Sequence, residues 1–143
     1  MGRLALAFAV LLALTMNSSL ARDFSERQVW SYKARKGEQG STILINKIES
    51  DPKLGQIFHI SVAGVRVKNH RAPSGVTTEL PHFPVSKQTL EASCTKLVGQ
   101  SSPNPAYVEG YTEWKRAFDQ HRAGVFTIPV AEIVQVVEDT VSK

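Results

Sequence analysis

The stretch TILINKIESDPKLGQIFHISV, residues 42–62, decides the fold class. Thr42 to Glu49 carries Ile43, Leu44, Ile45 and Ile48, the β-branched and aliphatic residues that pleated strands favour. Ser50 to Gly55 then supplies a turn with a mechanism. Pro52 presets φ early in the turn, and Gly55 accepts a positive φ at its end. Gln56 to Val62 resumes as a strand with Phe58, Ile60 and Val62 on one face. Two such strands joined by so short a connection pair antiparallel.

Towards the N-terminus, Gln28, Trp30, Tyr32 and Ala34 share one face of an extended segment, with Val29, Ser31 and Lys33 on the other. The polar loop Lys36–Ser41 joins it to Thr42, which makes a three-stranded meander. Towards the C-terminus, Ala63-Gly64 marks a bulge or bend, after which Val65 and Val67 alternate with Arg66 and Lys68. Asn69 to His82 contains Pro73, Gly75 and Pro81 and reads as a long loop.

The second half changes period. Ser86 caps a helix expected to run through Val98 and stop at Gly99, with Leu90, Cys94, Leu97 and Val98 inward. Asn104-Pro105 opens another helix. Its stripe is Tyr107, Tyr111, Trp114 and Phe118, and it ends at Gly124. Gly110 within it costs about 1 kcal/mol against Ala, so the helix could equally start there. Val125–Ile128 reads as a last short strand, and Pro129 opens a final helix with Val130, Ile133, Val134, Val137 and Val141 inward. Strands first and helices after imply an α+β domain. The expectation is an antiparallel sheet of three to five strands, an N-terminal meander, packed on one face by about three C-terminal helices.

Met1-Gly2-Arg3 followed by the apolar run Leu4–Leu14 and by Ser19-Leu20-Ala21 is the signal-peptide pattern, with the cut expected after Ala21. Eleven apolar residues make a helix of about 16 Å, too short for a bilayer core of about 30 Å. The expected product is therefore residues 22–143, one exported domain, secreted or periplasmic. Removing residues 1–21 takes away Arg3 and no acid, so the net charge falls from +4 to +3. One cysteine excludes an internal disulfide framework and any multi-cysteine metal site, and a bacterial periplasm suits such a chain.

The chain contains no G-x-S-x-G, H-E-x-x-H, P-loop or G-x-G-x-x-G motif. Cys94, on an apolar stripe, reads as packing material. His59 is opposite in phase to Phe58 and Ile60, which places it on the solvent face of its strand. His70 and His82 bracket the long loop, where Glu79 or Cys94 could join them. No metal and no cofactor is expected. The one patterned polar feature is basic: Arg66, Lys68 and His70 alternate, Arg71 follows, and Lys33, Arg35 and Lys36 end the first strand. A cationic stripe of that kind suits an anionic partner, and Arg66, Lys68, His70 and Arg71 are the candidate binding residues. With a modest net charge and the aromatics at helix-core spacing, nucleic acid is not an expected partner. The leading expectation is an exported, non-enzymatic domain that binds a protein or an anionic envelope component. The alternatives are a small hydrolase using a loop histidine, His70 or His82, and a homo-oligomer built through an open sheet edge, with Cys94 available to link the copies.

Overall fold

A computed structural model describes residues 22–143; the expected signal segment, 1–21, lies outside the described residues. Five strands and three helices follow one another as β1 (Gln28–Tyr32), β2 (Thr42–Asp51), β3 (Gly55–Lys68), β4 (Val76–Ser86), α1 (Lys87–Ser93), β5 (Cys94–Gln100), α2 (Tyr107–Asp119) and α3 (Val130–Val141). The strands form one antiparallel sheet in the order β4-β3-β2-β1-β5, so the fold is α+β as expected. The decisive turn closes as its residues require. The Asp51 carboxylate accepts the backbone N–H groups of Lys53 and Leu54, each at 2.8 Å, and Gly55 takes a φ of +73°. Among the described residues no helix is long and apolar enough to cross a membrane.

One face of the sheet carries the apolar core. Trp30, Tyr32, Ile43, Ile45, Phe58, Ile60, Val62, Phe83 and Val85 meet Leu90 of α1 and Val130, Ile133 and Val134 of α3. Cys94 lies within this core, and burial pushes its thiol up to about 12, so it packs as a small apolar group. The Ser93 hydroxyl accepts the Val130 N–H at 2.9 Å and so caps the first turn of α3. The expected placement of helices on one face holds for α1 and α3, while α2 lies across the other. Tyr111 and Trp114 of α2 pack on His59 and His82, which alternate in the strands with Phe58, Ile60 and Phe83.

Three expectations are corrected. Val76–Ser86 is strand, and only residues 69–75 turn. Its two prolines fit because β4 is an edge strand whose pairing with β3 slips between Ile60 and Val62, opposite Pro81. The helix after Ser86 stops at Ser93, and Cys94–Gln100 becomes β5, which pairs with β1. Hydrogen bonding to the open edge of β1 outweighs a weak helical stripe, and Leu97 and Val98 are left about half exposed. Finally, α2 begins at Tyr107 and ends at Asp119, where His121 adopts a left-handed φ of +58° before Gly124 is reached.

The expected bulge at Ala63-Gly64 is present as a break in the pairing with β4. Gly64 has a φ of +75°, and a Cβ there would stand 3.1 Å from the Ser41 Cα. Gly64→Ala should therefore cost about 1–3 kcal/mol in urea denaturation. Gly40→Ala, into open space without positive φ, should change stability by less than about 0.5 kcal/mol. Equal midpoints for the two variants would contradict the strained-bulge account.

Candidate functional site

Strand β3 outlasts its neighbour. The last β2–β3 pair is Thr42 with Ala63, yet β3 continues to Lys68 beside β4. The N–H groups that β2 would have taken need other acceptors, since an unpaired backbone donor is costly. Two carboxylates supply them. The Arg66 N–H donates to Glu38, and the Lys68 N–H donates to Glu138 of α3 at 2.8 Å. The Arg66 carbonyl accepts Arg35 Nη2 at 3.2 Å. One arginine and two glutamates thus stand where a strand is missing.

Arg35 organises the group. Its Nε and Nη2 grip both oxygens of Glu38 at 2.8 Å, the paired geometry in which a guanidinium and a carboxylate bind most strongly. Its Nη1 lies 3.4 Å from Glu138 and 3.1 Å from Gln135 Oε1. Glu38 reaches this position through a tight turn in which its N–H bonds the Arg35 carbonyl and Gly37 takes a φ of +85°. The Arg35 hydrogen bond holds the Glu38 carboxyl below the usual carboxylate range. The Lys68 N–H does the same for Glu138, with help from Arg35.

Around this network lies an open groove of about 660 Å³, lined by Arg35, Lys36, Gly37, Glu38, Arg66, Lys68, Gln135 and Glu138. Both acids are engaged by Arg35. Among the described residues, no carboxylate stands within 4.0 Å of the side-chain nitrogens of Lys36, Arg66 or Lys68. Of the expected binding residues, Arg66 and Lys68 line the groove. His70 and Arg71 sit exposed in the 69–75 turn, outside it. Sequence reasoning missed Glu38 and Glu138. The alternation that exposes Arg66 and Lys68 describes side chains, whereas the two acids answer to the backbone N–H groups of those same residues.

The histidines are distributed otherwise than expected. His59 is fully buried under α2, not solvent-facing. Its Nε2 donates to Glu49 Oε1 at 2.7 Å, and its Nδ1 accepts from His82 Nε2 at 2.9 Å, the arrangement that satisfies both contacts with neutral rings. The two rings stack at 5.2 Å, with Tyr111 and Trp114 edge-on to His59. His82 is on β4 rather than in a loop, and it meets His59, not His70. Glu79 bonds Asn104, and Cys94 is on the opposite face. Gly110 lets α2 seat closely, because a Cβ there would be 3.1 Å from the His82 Cβ and 3.3 Å from its Nδ1. The chain Glu49–His59–His82 therefore ends against the backbone of α2. Among the described residues no group of three His, Cys, Asp or Glu is placed to hold a metal ion. No family model, curated protein or solved structure matches this chain.

Burial lowers His59 below its ordinary value, and burial with the neighbouring His59 lowers His82 to about 4. Both folded values lie below the unfolded one, so their stabilising contribution is complete above about pH 6.5 and is lost as pH falls towards 4. Thermal melts between pH 7 and 4.5 should show falling stability through this window. His82→Gln should reduce the slope by close to one proton. An unchanged slope would show that the pair does not titrate as its burial implies.

Proposed function

We propose that this chain is an exported binding domain, periplasmic or secreted, that holds an anionic component of the cell envelope in the groove at the free end of β3. The observation that carries the reading is the excess of cations lining the groove, Arg35, Lys36, Arg66 and Lys68 against the two acids Glu38 and Glu138, with no carboxylate among the described residues in contact with the side chains of Lys36, Arg66 or Lys68. Charges converging on a concavity reinforce one another at its mouth and attract a ligand of opposite sign. The signal pattern of residues 1–21 supports the compartment, and the absence of a recognisable catalytic motif in the sequence supports binding over catalysis. A hydrolase reading would rest on Glu49, His59 and His82, whose outer ring is held against Gly110.

The test is retention on anionic surfaces: phosphatidylglycerol vesicles, immobilised polyglutamate and a polyuronate, with phosphatidylcholine vesicles as the neutral control. The protein should bind at least one anionic surface and leave it as ionic strength rises, because screening shortens the reach of the field to about 10 Å near 0.1 M salt. The triple variant K36S/R66S/K68S should lose about tenfold or more of this affinity while melting at nearly the wild-type temperature, since its three side chains lie on the surface. Retention unaffected by the triple variant, or by salt, would contradict the reading.

A further inference from the structure

The two carboxylates of the groove are not equivalent. Glu38 is held at both oxygens by Arg35, also accepts the Arg66 N–H, and its side chain is 2% exposed. Glu138 is 18% exposed, meets Arg35 through two longer contacts, Nη1 at 3.4 Å and Nη2 at 3.5 Å, and has one short bond, to the Lys68 N–H. It stands near the end of α3, where the Ser142 N–H closes on its carbonyl, and rotation about its three side-chain torsions would turn the carboxylate outward. If Glu138 swings away, Arg35 stays in place, because Glu38 and the Arg66 carbonyl still hold it. What opens is a backbone N–H and a guanidinium N–H converging on one point, bordered by Lys36, Arg66 and Lys68.

We propose that this point is a carboxylate site and that Glu138 is its internal occupant. An aspartate or glutamate side chain on an extended acidic segment of a partner protein displaces Glu138, accepts the Lys68 N–H and pairs with Arg35. Further acids of the segment meet the neighbouring cations. A peptide acid is the ligand this geometry favours, since the occupant already seated there is a glutamate side chain on a peptide backbone. The inference rests on the proposed anion-binding groove and names its ligand class. Glu138 thereby acts as a competitor that sets the affinity.

Binding of a fluorescently labelled hexaglutamate peptide, read by anisotropy at low salt, tests it. Glu138→Gln keeps the shape and removes the charge that competes. It should tighten binding by about fivefold or more, the range of a coupling between two sites. Glu132→Gln removes an equal charge from the exposed first turn of α3 and should change affinity by less than about twofold. Circular dichroism confirms that each variant is folded. Equal effects of the two substitutions, or weaker binding by Glu138→Gln, would overturn the role of Glu138 and leave the cationic groove standing. Tighter binding of an oligouronate than of hexaglutamate by Glu138→Gln would overturn the peptide ligand. No binding of any anionic probe by wild type or Glu138→Gln would instead remove the groove itself.

Discussion

The structure turns on the unequal lengths of β2 and β3. A strand that runs five residues past its partner, from Gly64 to Lys68, presents N–H groups with nothing to bond. The chain resolves this with side chains. The Gly64 bulge keeps Val65 and Val67 facing the core. The hydroxyl of Ser41 bonds the Ala63 carbonyl at 2.7 Å, fixing the loop that delivers Arg35 and Glu38. The apolar side of α3, Val130, Ile133 and Val134, packs on the sheet and brings Glu138 to the Lys68 N–H. Backbone satisfaction thus explains why two acids and an arginine gather at this corner. The side chains of Lys36, Arg66 and Lys68 border the same corner and leave the groove with more cations than acids.

The opposite face follows a different logic. Where α2 meets β3 and β4, the contact is polar and aromatic: His59, His82, Glu49, Tyr111 and Trp114, with Asn46 bonded to Ser61 at 2.8 Å close by. Apolar packing also holds the helix there, Ile57 being buried on the same sheet face as His59. A chain of directional bonds fixes its position, and leaves no buried side-chain nitrogen or oxygen among the described residues without a partner. The neutral state of both imidazoles is part of that fit, so protonating them weakens the seating of α2.

Much of the fold was legible where local chemistry and tertiary need agree. The 42–62 hairpin, the bulge at Gly64, the Ser86 cap and the inward residues of α3 all stand as their sequence implies. Local signals are overridden where a long-range partner decides. Residues 94–100 have a helical stripe but join the sheet because β1 offers an open edge. Residues 76–82 carry turn signals but pair with β3. His59 has the phase of a solvent-facing residue on a two-layer sheet, and a third layer, α2, buries it. At the groove, the alternation of Arg66 and Lys68 pointed to the cations. Glu38 and Glu138 were illegible, since one lies 28 residues before Arg66 and the other 70 residues after Lys68.

The two acceptors at the free end of β3 are unequally held: Glu38 takes two Arg35 bonds at 2.8 Å and the Arg66 N–H, whereas Glu138 meets Arg35 only at 3.4 and 3.5 Å and takes the Lys68 N–H. Amide hydrogen exchange, read residue by residue by NMR in the free protein, tests this most directly. The Arg66 and Lys68 amides lie two residues apart on the same strand. The account predicts that the Arg66 amide exchanges more slowly, by about tenfold or more, because its acceptor does not leave. Equal protection of the two, or slower exchange at Lys68, would contradict it.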